Sequence, residues 1–150
     1  MVLTAEDFVF FWKPEQPHGW ASQWYKSPFS ARVTLPDGEE RDVTFTTAEH
    51  WMMGQKALLF GDQEIFERIA STTKGTRTRI PGPKEVKALG RKVRNFDEGR
   101  WARERERIVL EGTLHKFRQH ADLRALLLGT GERELVEASP MDGVWGVGGG

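Results

Sequence analysis

Glu49 and Lys56 stand seven residues apart in the segment Thr47 to Phe60, TAEHWMMGQKALLF. If this segment is a helix, seven steps of roughly 100° return Lys56 to within about 20° of Glu49, two turns apart on one face. Met52 and Met53 lie between them. A carboxylate and an amine separated by apolar side chains can each have a shifted pKa, which suits acid–base or nucleophilic work. The structural alternative is simpler. Glu49 would close a capping box opened by Thr46, and Lys56 would be a solvated surface charge.

A second group lies near the end of the chain, in Ser139-Pro-Met-Asp142-Gly-Val-Trp145-Gly146. An acid among Pro and Gly, three residues before a tryptophan, suggests a tight loop presenting a carboxylate beside an aromatic plate. The same residues also describe an Asx-turn with the tryptophan plugging a core. Trp101 reads either as a pocket wall or as the first core residue of its helix. Arg91 follows Gly90, which would permit close approach to a ligand, but a surface charge fits equally. The terminal GVGGG could hold a phosphate on its backbone amides or be no more than a glycine-rich end.

The elements that must position these residues follow from pattern. Phe8 to Trp12 is a short run of aromatic and branched residues, expected as a buried strand. Lys13 to Ser27, with two prolines and a glycine, is expected as a loop. Ala31–Leu35 and Arg41–Phe45 alternate around Pro36-Asp-Gly-Glu39, which predicts a β-hairpin. The Glu49 helix follows at once, then a second helix that Asp62 can cap. A basic loop from Lys74 to Pro83 leads to a helix with Pro83 in its first position. Asp97 opens a long helix to about His120, and Ala121–Thr130 is a further helix, apolar enough to be central. Glu134–Ala138 is expected as a short strand. The pattern is α+β: a mostly helical single domain, residues 1–150, with a small hairpin or sheet.

Composition removes several classes of chemistry. Cysteine is absent, and with it thiol nucleophiles, cysteine-based zinc sites and disulfides. The four histidines (His18, His50, His115, His120) form no HExxH pattern, so neither a metal nor another cofactor is expected. With 22 basic and 22 acidic residues, the chain does not look like a protein that holds duplex nucleic acid by bulk neutralisation of phosphates. A local basic pocket for one or two phosphates remains open. Six tryptophans offer flat rings for stacking on a base or sugar. No apolar run approaches the roughly 20 residues of a membrane helix, and the N-terminus lacks a signal-peptide pattern. The expected setting is cytoplasmic, with no membrane partner.

Taken in order, these segments resemble the NADAR family and its YbiA-like members. The residues that carry the resemblance are Ala21-Ser22-Gln23-Trp24 before Ser27-Pro-Phe29, and Thr46-Thr-Ala-Glu49-His50-Trp51 with Gln55-Lys56-Ala57. Gly90-Arg91, Trp101, Lys116 to Leu128, and Asp142 with Trp145-Gly146 complete it. The helix around Glu49 and the DGVWG loop are its most specific parts. The resemblance implies a continuation past the Trp-Gly segment into a last helix, whereas the given sequence stops at Gly150, and a Tyr where Trp51 stands.

The resemblance implies an N-glycosidase, a hydrolase acting on N-glycosyl bonds. In YbiA-like members the substrates are phosphoribosylamino-pyrimidine intermediates of riboflavin biosynthesis. In other NADAR members the substrate is ADP-ribosylated guanine in nucleic acid. The first is preferred because KFRQHADLRALLLGT is closer to the YbiA branch. A non-catalytic ADP-ribose-binding module is a further alternative, and a purely structural role explains the residue pattern least. Glu49 and Asp142 are expected as catalytic carboxylates, with Lys56 as an amine able to form a Schiff base. Trp101, Trp145, Arg91, Trp24, Ser22 and Gly146 are expected to bind the phosphoribosyl or ADP-ribosyl substrate.

Overall fold

The structure, a computed structural model, describes residues 2–71, 80–140 and 142–147. Most of the expected basic loop, Lys74 to Arg79, and the glycines 148–150 of the proposed phosphate nest lie outside the described residues. The chain forms two compact units: residues 27–119, and residues 1–26 with 120–150.

In the larger unit, β2 (Phe29–Thr34) pairs antiparallel with β3 (Glu40–Phe45), in register from Phe29 opposite Phe45 to Thr34 opposite Glu40. Strand geometry sends alternate side chains to opposite faces, so Phe29, Ala31, Val33, Val43 and Phe45 are buried on one side. Gly38 closes the turn with φ +89°, a conformation that favours glycine. The hairpin is therefore the one the alternation predicts, extended by two residues at the start of β2.

Helix α1 (Ala48–Leu59) follows, then α2 (Gln63–Ile69), α3 (Pro83–Gly90) and α4 (Glu98–Gln119). α1 is the hub, packing against α2, α3, α4 and β3. Two glycines let neighbours come close. A Cβ at Gly90 would collide with Met53 Sδ, and one at Gly112 would collide with the Trp51 indole. Trp51 is thus a wedge between α1 and α4, and its Nε1–H donates to the Ile108 carbonyl at 2.8 Å. Trp51 belongs to the core of this unit.

Capping explains the boundaries. The Asp62 side chain accepts from Ile65 N at 3.1 Å, Pro83 takes the first position of α3, and Asp97 accepts from Arg100 N at 2.8 Å. All three match the sequence expectation. The start of α1 does not. Its N-cap is Thr47, whose Oγ1 accepts from His50 N at 3.2 Å. The capping partners are therefore Thr47 and His50, one residue beyond the expected Thr46 and Glu49.

In the smaller unit, β1 (Phe8–Phe11) runs parallel to β4 (Glu134–Glu137), with Phe8 opposite Glu134. Both strands fall where expected, but β1 is not the buried strand its aromatic run suggested: only Val9 is buried in it, and Phe10 is exposed. Helix α5 (Ala121–Leu128) is not central as its composition suggested. Only Leu123 is buried in it, and Leu126 and Leu128 are exposed. Among the described residues no helix is long and apolar enough to cross a membrane.

Candidate active site

The first turn of α1 organises the site. Thr47, Glu49 and His50 are all buried there. His50 Nε2 lies 2.7 Å from the Pro81 carbonyl, which can only accept, so the proton sits on Nε2. Nδ1 is then the acceptor and takes the Thr47 hydroxyl at 2.7 Å. Burial holds the His50 pKa below its ordinary value, with the Pro81 bond opposing more weakly, so the ring is neutral. The cap that the structure shows is made by Thr47 and His50. A carboxylate only 4% exposed sits at the amino end of a helix, where the helix dipole favours negative charge.

Two turns on, Lys56 is half-buried. Its Nζ lies 4.6 Å from the centre of the Phe96 ring and 5.5 Å from that of Trp101, two aromatic faces able to attract an ammonium. Three influences act on its pKa. Desolvation lowers it most, the positive charge of Arg91 lowers it further, and the Glu49 carboxylate raises it. The net shift is downward. Like-charged Arg91 and oppositely charged Glu49 are thus both near enough to act on one amine. Lys56 is not the free surface charge of the simpler reading.

Four of the expected residues, Glu49, Lys56, Arg91 and Trp101, are therefore gathered around α1. Trp101 packs against the core of this unit, as one of its two readings held, and its ring also lies 5.5 Å from Lys56 Nζ. Arg91 is exposed at the carboxyl end of α3. Phe96 was missed. Its signal was an isolated aromatic in the polar run Arg-Asn-Phe-Asp-Glu-Gly-Arg, and it remains 46% exposed.

The other expected residues belong to the smaller unit. Ser22 is buried after a 3-10 turn (Gly19–Ala21), and its Oγ accepts from Trp24 N at 3.1 Å. Asp142 Oδ1 accepts from both Val144 N and Trp145 N, each at 2.9 Å. This is the Asx-turn of the structural reading, but Trp145 plugs no core, being 37% exposed. A Cβ at Gly146 would come within 2.7 Å of the Ser139 carbonyl, so the turn requires glycine there.

The larger unit thus buries a carboxylate at a helix start and, two turns on, holds a half-buried amine against two aromatic rings, groups suited to hydrolytic or amine chemistry. Residues 10–150 match the NADAR domain. The chain belongs to the NADAR family. It is 41% identical over 149 residues to an N-glycosidase of Acanthamoeba polyphaga mimivirus, covering 97% of this chain and 81% of that protein. It is 33% identical over 123 residues to the N-glycosidase YbiA of Escherichia coli (strain K12), covering 82% and 68%. The NMR structure of the E. coli protein YbiA superposes with a TM-score of 0.72 and 28% identity, covering 98% of this chain and 76% of that one.

Proposed function

We propose that this protein is a cytoplasmic N-glycosidase that cleaves the ribose–nitrogen bond of phosphoribosylamino-pyrimidine intermediates of riboflavin biosynthesis. The observation that carries the reading is the buried Glu49 carboxylate paired along α1 with Lys56, whose pKa is lowered by burial and by Arg91. The naming of relatives as N-glycosidases supports the reaction type.

Cleavage of such a bond builds positive charge at the anomeric carbon, which a nearby carboxylate stabilises. In direct hydrolysis the bond from that carbon to the base nitrogen breaks. Water forms the new carbon–oxygen bond and loses a proton, and the leaving nitrogen gains one. Glu49 and Asp142 are the two carboxylates of this scheme. One steadies the cation or activates water, and the other orients the ribose hydroxyls. In the covalent route, neutral Lys56 Nζ displaces the base and opens the sugar to a Schiff base, which water then cleaves. Arg91 meets the phosphate with a planar fork suited to it. Trp101 of the larger unit is assigned to stacking on sugar or base, and in the smaller unit Trp145, Trp24, Ser22 and Gly146 are assigned to substrate binding. Water is the only co-reactant, and no cofactor enters.

Incubation with a phosphoribosylamino-pyrimidine is expected to release free ribose 5-phosphate. Release of ADP-ribose from ADP-ribosylated guanine instead would replace the substrate but keep the chemistry. Tight binding of either compound without any product would overturn the enzyme in favour of a binding module.

A further inference from the structure

The segment Arg91–Asp97, between α3 and α4, is fastened more firmly than a connection needs. The Asp62 side chain is fully buried, and its two oxygens take Arg94 N at 2.9 Å, Arg94 Nη2 at 3.0 Å and Ile65 N at 3.1 Å. Arg94 reaches across to Glu64 as well, at 3.3 Å. Val93 is buried beneath the segment. Asn95 holds φ +60°, a left-handed conformation uncommon outside glycine. Yet the residue delivered by this arrangement, Phe96, is left 46% exposed. One side of its ring meets the edge of Phe60, with centres 5.3 Å apart at 66°. It also faces Lys56 Nζ at 4.6 Å. A buried carboxylate and a left-handed turn hold an aromatic ring that makes one contact with the core residue Phe60 and otherwise stays exposed. Left-handed residues other than glycine cluster at functional sites.

We infer that Phe96 is a specificity-determining residue, stacking its exposed ring on the planar nitrogen heterocycle joined to the sugar, and that Asp62 is the positioning residue that holds it beside Lys56. This rests on the N-glycosidase reading, because a flat leaving base next to the reacting amine is what makes an aromatic ring useful there. Stacking of a base on an aromatic side chain is sequence-tolerant and strong enough to matter for affinity. Phe96 therefore selects for planarity of the leaving group, while Arg91 acts on the phosphate.

Calorimetric titration with two separate probes, a stable substituted aminopyrimidine and ribose 5-phosphate, tests the assignment. Phe96→Leu is expected to weaken aminopyrimidine binding about tenfold or more and to leave ribose 5-phosphate binding unchanged, while Phe96→Tyr restores wild-type affinity. Asp62→Asn, assayed well below its melting temperature, is expected to weaken the aminopyrimidine alone. The double variant Asp62→Asn/Phe96→Leu should be no worse than Phe96→Leu, an outcome that general loss of structure would not give. Unchanged aminopyrimidine affinity in Phe96→Leu, or an equal loss for both probes, overturns the inference. Failure of wild-type protein to release sugar phosphate is a different result: it removes the glycosidase reading and is measured separately from the titrations.

Discussion

The imidazole of His50 and the carbonyl of Pro81, 2.7 Å apart, tie the first turn of α1 to the entry of α3. The bond spans 31 residues of sequence and joins the helix that carries Glu49 and Lys56 to the one that ends at Arg91. Met53 against Gly90 makes a second close approach between the same helices. Together these contacts set the spacing at which Arg91 acts on the Lys56 amine.

This tie has a pH signature. His50 in the folded protein has a pKa below 6.5, mainly through burial. The unfolded chain therefore binds its proton first, and the His50 contribution to stability is present above about pH 6.5 and lost as pH falls through the folded value. Thermal melts between pH 8 and 5 should show this decline. In His50→Leu the decline should disappear, and stability at pH 8 should drop by about 2–3 kcal/mol, because the Thr47 hydroxyl and Pro81 carbonyl lose their partner. A pH dependence identical to wild type would show that the ring is not buried as described.

Asp62 makes a comparable prediction in acid. Its carboxyl is held at about 2, first by the Arg94 side chain and then by backbone N–H groups, against the cost of burial. Its stabilisation is present above the ordinary value near 3.8 and lost as pH falls through about 2. Asp62→Asn at neutral pH should cost on the order of 1–2 kcal/mol, a figure reduced by the exposed guanidinium's contact with water. Chemical denaturation of the two proteins at pH 7 and pH 3 measures it, and the difference between them should narrow at the lower pH.

The hairpin and helices were legible because each carries a local cause: alternation about Pro-Asp-Gly, Asp62 and Asp97 as caps, Pro83 at a helix start. The pairing of Glu49 with Lys56 was legible from helical periodicity alone. What escaped the sequence was tertiary. Thr46 and Thr47 offer the same hydroxyl, and only the place where β3 ends and His50 meets Pro81 decides which one caps. α5 reads as apolar by composition, but burial of Leu126 and Leu128 depends on neighbours that composition does not specify. Phe96 lies near Lys56 because Asp62 reaches Arg94 across 32 residues, and no local pattern records that.

Charge, rather than shape, is the property that the two candidate carboxylates should share. Glu49→Gln is isosteric, and Asp142→Asn keeps an oxygen able to accept from Val144 N and Trp145 N. Each is expected to leave the melting temperature within a few degrees of wild type and to reduce kcat by two or more orders of magnitude. Near-normal turnover in both would remove the two-carboxylate mechanism.

Lys56 separates the direct route from the covalent one. Its lowered pKa puts more neutral amine at a given pH than a solvated lysine has, so a covalent route should speed up as pH rises through a value below 10.5. Borohydride added during turnover should then leave a sugar-phosphate adduct, located on the Lys56 peptide by mass spectrometry. Lys56→Arg keeps a positive charge facing Phe96 and Trp101 but has no amine to deprotonate, so it should abolish trapping and lower kcat by at least a hundredfold. If Lys56→Arg retains most of its activity and no adduct forms in wild type, the lysine acts only as a charge, and water attacks the sugar directly with Glu49 and Asp142 as the acting groups.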